Sequence, residues 1–287
     1  MKKQLIFDMT TCGSTLKSLS KLLNIDDSEI VKYIVTRKGE YSVEEFLEVF
    51  DVDENVVADK ELLLTSLHVT TNNDNCESIK ELGITNLQKA VTLNTPLKRY
   101  LKEQGVEINV EKKEIFYKGK NYDISKEYNG INIGSKDEQL NWIIYKLYKD
   151  YQINAFFYDK NVLNYGGDIR RRPEFLKNLA AFLKSSNIEN NWKMSSEYQC
   201  HVIKFFAPIS QFTNYTFNVE DMYYLEEQEF YLEKIKWVIK QSLRHLHDDK
   251  FNDGAENCYA YLRFDETIPY SNIISILTDV EYLKSIN

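Results

Sequence analysis

The chain has 287 residues, 43% hydrophobic and 28% charged, and its 36 Lys plus Arg against 44 Asp plus Glu give a net charge of -8. That apolar fraction supports a packed core and excludes wholesale disorder. The acidic balance excludes a basic footprint over the whole protein, so only a local patch is left for nucleic acid.

In chain order, residues 14–50 read as a small helical unit. Leu16, Leu19, Leu22 and Leu23 recur at helical spacing, and Ile30 and Ile34 continue the pattern. Asp26, Asp27 and Ser28 offer N-cap chemistry for a second helix. Ser42 and Glu45 have the spacing of a capping box ahead of a third. The pair of short helices resembles a helix-turn-helix, although the simpler reading is a helical cap on a larger domain. The acidic segment 51–61 then serves as a connector.

After it, 62–71 (LLLTSLHVTT) reads as a buried strand, followed by a short helix ending at Gly83, with Asn72, Asn73 or Asp74 as its cap. Thr95 and Pro96 open a further helix as N-cap and first residue. Residues 106–134 alternate as a hairpin turned at Lys118 to Lys120, and 137–151 form an amphipathic helix. Strands follow at 153–159 and 198–209, with a helix at 171–185 between them that carries Pro173 in its first turn. A long amphipathic helix at 220–247 and a late alternating strand at 255–264 complete the pattern. Strands and helices mix without strict βαβ alternation, which predicts an α+β fold.

Cys12, Cys76, Cys200 and Cys258 stand far apart without a CxxC pair, so four reduced thiols in a cytoplasmic protein are expected. The apolar run at the N-terminus is too short for a signal peptide, and no stretch approaches the ~20 apolar residues of a membrane span. Phosphate-binding P-loop, dinucleotide G-x-G-x-x-G and nucleophile-elbow motifs are absent from the sequence, as is metal-ligand spacing. His245 and His247 would face different ways on a helix, and His201 on a buried strand reads as structural.

The most informative passage is LHVTTNNDNCESIKELGI. His68 and Thr70, at i and i+2, share one face of an otherwise apolar strand. This strand, short loop and helix ending in Ile79-x-x-x-Gly83 resembles the opening of histidine-first ADP-ribosyltransferases. That grouping includes poly(ADP-ribose) polymerases, RNA 2′-phosphotransferases and DarT-like enzymes. The resemblance implies a split mixed β-sheet core at 61–287, with a helical and hairpin insertion at about 92–152 and the N-terminal helical unit at 1–60. It further implies NAD as co-substrate, with His68 on the nicotinamide ribose and Thr70 in support.

The family pattern next requires a strand with a Tyr that stacks on nicotinamide. Phe157 and Tyr158 lie on a strand, and Tyr165 precedes the Gly166-Gly167 loop; the sequence leaves the choice open. Arg170, Arg171 and Arg172, just ahead of a helix N-terminus, could hold the diphosphate, Arg170 and Arg171 foremost. A catalytic glutamate at the start of a late strand completes the pattern. Glu256 fits it best, and Glu197 is the second candidate. A carboxylate suits the chemistry, because breaking the nicotinamide–ribose bond builds positive charge on the ribose. No metal is required.

The implied activity is transfer of ADP-ribose to an intracellular protein or nucleic acid. Enzymes of this type also occur in toxin–antitoxin and antiphage systems, where an antitoxin or inhibitor protein would be a partner. Two other readings stay open: an NAD glycohydrolase on the same fold, and a non-enzymatic helix-turn-helix-type regulator or partner-binding protein.

Overall fold

The computed structural model describes residues 3–37, 41–222, 224–251 and 257–286. The fold is α+β. Its elements begin with β1 (Lys3–Asp8), α1 (Cys12–Leu23), α2 (Asp27–Thr36), α3 (Val43–Val49) and α4 (Glu54–Ala58). There follow β2 (Lys60–Asn72), α5 (Glu77–Leu82), α6 (Leu87–Thr92), α7 (Pro96–Glu103) and the short strands β3 (Val106–Asn109), β4 (Glu114–Tyr117) and β5 (Lys120–Asp123). The second half holds α8 (Glu138–Tyr148), β6 (Asn154–Tyr158), α9 (Glu174–Phe182), α10 (Asn187–Met194), β7 (Gln199–Pro208), α11 (Glu227–Phe251), β8 (Cys258–Tyr261), β9 (Ile273–Thr278) and α12 (Asp279–Ile286). The larger sheet has the order β8-β6-β2-β7-β9, with β1 beside β2, and β3-β4-β5 form a separate sheet.

The chain forms two compact units, each assembled from three segments. The first unit comprises Met1–His68, Asn154–Val162 and Lys204–Arg263; the second comprises Val69–Ile153, Leu163–Ile203 and Phe264–Asn287. In the first unit, β1 pairs in parallel with β2 from Lys3 opposite Lys60 to Asp8 opposite Thr65. The N-terminal segment is therefore part of a sheet as well as helical. Helices α1 to α4 all pack on α11, whose inner face carries Ile235, Val238, Ile239 and Leu243. Asp26 caps α2 and Ser42 caps α3, both as expected. The capping box at Ser42 is only half formed, because the Glu45 carboxylate pairs with Arg37 rather than with the cap backbone.

Strand β6 is antiparallel to both neighbours, with Phe156 opposite Leu67 on β2 and Tyr259 on β8. Its register with β8 shifts between Phe156 and Tyr158. A bulge there breaks the two-residue alternation, so Phe156, Phe157 and Tyr158 are all buried.

The second unit has its own core, in which Leu97, Tyr100 and Leu101 of α7 and Ile108 and Ile115 of the meander meet Ile143, Ile144 and Leu147 of α8 and Leu176 and Leu179 of α9. Thr95 and Pro96 open α7 as expected. The expected hairpin is a three-stranded meander whose second turn uses Lys118 and Gly119, both at positive φ. Pro173 sits at the N-cap position of α9, one residue before the helix rather than within it.

Candidate functional site

The strand that carries His68 is buried without interruption from Leu62 to Leu67, and burial relaxes at His68. Such a run can lie only inside a sheet covered on both faces. The His68 Nδ1 lies 2.8 Å from the carbonyl oxygen of Asn154, the first residue of β6. A carbonyl oxygen only accepts, so Nδ1 carries the proton and Nε2 the lone pair. Burial holds the imidazole below its usual pKa against the opposing pull of that hydrogen bond. His68 is thus a neutral imidazole of fixed tautomer, with Nε2 able to accept from a hydroxyl. Thr70, half-buried, follows two residues later.

The turn out of β2 is braced by side chains. Asn72 Oδ1 accepts from the Cys76 amide at 3.2 Å, and Asp74 Oδ2 accepts from the Ser78 amide at 3.3 Å. The N-cap position of α5 belongs to Cys76, in a left-handed conformation and without a side-chain cap. None of the three expected residues occupies the N-cap position, but the Asp74 carboxylate satisfies the first-turn Ser78 amide of α5 from outside it, while Asn72 braces the loop. Gly83 ends α5 at φ +76, as its type predicts, and a methyl group there would lie 2.2 Å from the Ile268 carbonyl oxygen. That carbonyl accepts from the Ile84 amide at 2.9 Å, and the Ile268 amide returns a bond of 3.0 Å.

The other expected residues occupy varied settings. Tyr158 is buried, its ring stacked on His245 with centroids 4.0 Å apart and planes at 6°, and burial pushes its hydroxyl pKa up. That face of Tyr158 is occupied by protein rather than left to a ligand ring. Tyr165 is 41% exposed in the loop before Gly166 and Gly167. Arg170 pairs with Asp279 at 2.7 Å. Arg171 is exposed, and no ion-pair partner stands beside it among the described residues. Arg172, the third member of the expected cluster, is instead buried, pairing with Glu189 at 2.5 Å and bonding the Gly167 carbonyl, so its guanidinium is committed to the fold.

The two glutamates also differ. Glu256 lies outside the described residues. Its strand β8 begins with Cys258 opposite Tyr158, whereas Asn154, the partner of His68, stands opposite Tyr261. The described start of β8 is therefore separated from Asn154 by the length of β6, about 13 Å at the usual rise per residue. Glu197 is exposed just before β7. Next to it, Tyr198 stacks on Trp192 at 3.7 Å, and the Trp192 indole donates to Thr71 of β2 at 3.1 Å.

One polar cluster escaped the sequence reading. His245 is buried on α11, with Nδ1 3.1 Å from Thr15 Oγ1 and Nε2 3.3 Å from Cys12 Sγ. Thr15 donates its own proton to the Thr11 carbonyl at 2.8 Å. The hydroxyl can then only accept from Nδ1–H, which leaves Nε2 to accept from the Cys12 thiol. Burial, reinforced by the Asp249 carboxylate, pushes that thiol up to about 12. The pair is therefore a neutral hydrogen bond rather than a thiolate–imidazolium pair. The partners stand 233 residues apart in sequence, so no local spacing could have signalled them.

Among the described residues, no group of three or more His, Cys, Asp or Glu is placed to hold a metal ion. No described helix is long and apolar enough to cross a membrane. Compared with known proteins, the chain matches no family, no curated protein and no solved structure.

Proposed function

We propose that the chain is an NAD-using enzyme that transfers ADP-ribose to a protein or nucleic-acid acceptor. The observation that carries this reading is the neutral, tautomer-fixed His68 on β2, followed by the braced loop and the Gly83-terminated helix of the ADP-ribosyltransferase-like motif. In the reaction, the bond between ribose C1′ and the nicotinamide nitrogen breaks and its electron pair leaves with nicotinamide. The acceptor nucleophile bonds to C1′, and its proton passes to a base. His68 Nε2 accepts from a ribose hydroxyl, Thr70 supports it, and Tyr165 is the aromatic assigned to nicotinamide. The carboxylate that stabilises the cationic ribose is assigned to Glu256 by the resemblance, with Glu197 as the second candidate. Arg171, without an ion-pair partner among the described residues, is preferred for the diphosphate over Arg170, which already pairs with Asp279. A growth-arresting or antiphage role, neutralised by a cognate inhibitor protein, is the biological setting that goes with this reading.

Incubation with adenylate-labelled NAD and a cell extract tests it. Label in protein or nucleic acid, lost in His68→Ala and in Glu256→Gln, is the expected result; loss in Glu197→Gln with retention in Glu256→Gln would move the carboxylate role to Glu197. Label recovered only as free ADP-ribose would make the enzyme a glycohydrolase. No NAD consumption by the wild type would overturn the reading altogether.

A further inference from the structure

Lys234, on α11, is only 7% exposed, and it makes no hydrogen bond or ion pair among the described residues. A lysine buried to that degree is almost always paired. Its Nζ lies over two aromatic rings, 5.3 Å from the Phe217 centroid and 5.0 Å from that of Phe230. Those faces attract the charge but offer no lone pair to its three N–H donors. The ring nitrogens of His201 and the indole nitrogen of Trp237 are sealed in the core without partners, whereas Nζ of Lys234 is not sealed off.

Lys234 lines a cavity of about 480 Å³ within the first unit, together with Phe230, Tyr231, Ser210, Asp59 and Glu227. That volume falls within the usual range for small-molecule sites, roughly 300–1,000 Å³. Asp59 and Glu227 are exposed, and neither carboxylate acts on the ammonium, whose pKa is depressed by burial and then by Arg263. The group that completes Lys234 is therefore an anion from outside the chain, and its charge is limited. One ammonium balances one negative charge; a dianion would leave the second uncompensated in a cavity that already carries Asp59 and Glu227. The Tyr231 hydroxyl donates to the Lys60 carbonyl at 2.7 Å and accepts from the Leu62 amide at 3.1 Å, which fixes the ring beside Phe230 as wall for an apolar body.

We propose that this cavity binds a small monocarboxylate with an apolar body, its carboxylate on Lys234 Nζ and its body against Phe230 and Tyr231. The inference does not depend on NAD use, since none of these residues is assigned to that reaction.

Titration calorimetry on the full chain with benzoate, phenylacetate and hexanoate tests the proposal, with benzamide and hexanamide as uncharged controls and phenyl phosphate as the dianion. At least one carboxylate is expected to bind saturably, and its amide about tenfold more weakly or not at all, as loss of a hydrogen bond between charged groups requires. Lys234→Met keeps an unbranched apolar side chain and removes the charge. It should cost at least tenfold in carboxylate affinity while leaving the urea midpoint unchanged or higher, because the buried charge it removes has no partner. With wild type, affinity should fall as pH rises toward 10.5, the ordinary lysine value, since the carboxylate stays ionised while Lys234 loses its proton. The amide comparison and the pH series use wild type alone, so they decide the matter even where the variant does not fold. Binding of no carboxylate, an amide or phenyl phosphate bound as tightly as the carboxylate, or unchanged affinity in Lys234→Met overturns the proposal.

Discussion

Replacing Gly83 by alanine is expected to destabilise the second unit far more than the same change at another positive-φ glycine. Gly83 has φ +76 and ψ -175, a region open essentially to glycine alone. Holding alanine there costs roughly 1–3 kcal/mol. The added methyl would also stand 2.2 Å from the Ile268 carbonyl oxygen, a backbone atom that cannot rotate away. Relief requires opening the Ile84–Ile268 bridge, whose two hydrogen bonds are worth about 1 kcal/mol apiece. The combined loss is roughly 3–5 kcal/mol. Gly105 is the control, because at φ +73 nothing lies within 4 Å of its added methyl. Gly105→Ala bears the left-handed strain alone, about 1–2 kcal/mol. Urea unfolding followed by tryptophan fluorescence measures both, with Trp192 as a reporter in the core of that unit. Equal shifts of the two midpoints would refute the claim that the Ile268 contact, rather than backbone preference, makes glycine obligatory at 83.

Further outcomes follow from the buried polar groups. Arg172→Ala removes one partner of a buried ion pair and should cost about 3–5 kcal/mol in urea unfolding, whereas Arg171→Ala, at an exposed side chain, should stay within about 0.5 kcal/mol. His245 is held neutral, chiefly by burial, below its ordinary value of 6.5. The unfolded chain therefore takes up its proton first as pH falls. The stability contribution of neutral His245 is complete above pH 6.5 and lost as pH falls from there toward the lowered folded value. Unfolding curves between neutral and mildly acidic pH should converge for wild type and His245→Gln, and parallel curves would count against this assignment. Cys12, Cys200 and Cys258 are each pushed up to about 12, mainly by burial. Alkylation at mildly alkaline pH should leave all three unlabelled in the native protein and label them after denaturation; rapid native labelling of Cys12 would show that His245 draws out its proton after all.

Local signals were legible wherever one short segment carried its own reason. Asp26 and Ser42 at helix starts, Thr95-Pro96 before α7 and Gly83 after α5 were all readable from residue type. Strand β1 was not. Its six residues bury only Leu5 and Phe7 fully, and its ladder is with a strand more than fifty residues away. Helix α10 was missed as well, since NIENNWKM buries only Ile188 and Trp192 and leaves too little periodicity to read. His68 was visible because it interrupts an apolar strand. His201 looked like an ordinary core histidine, because sequence shows that a residue is buried but not whether its ring nitrogens find partners.

The sequence by itself determined the α+β class, the principal strands and helices and the acidic, chiefly apolar-cored character of the chain, because those depend on composition and on spacings of two to four residues. Tertiary structure decided how the pieces combine. It joined the N-terminal segment to β2 and α11, turned the face of Tyr158 onto His245, and placed Gly83 against the Ile268 carbonyl. Each of these depends on contacts between residues tens to hundreds of positions apart, where packing and hydrogen-bond satisfaction, rather than local propensity, choose the arrangement.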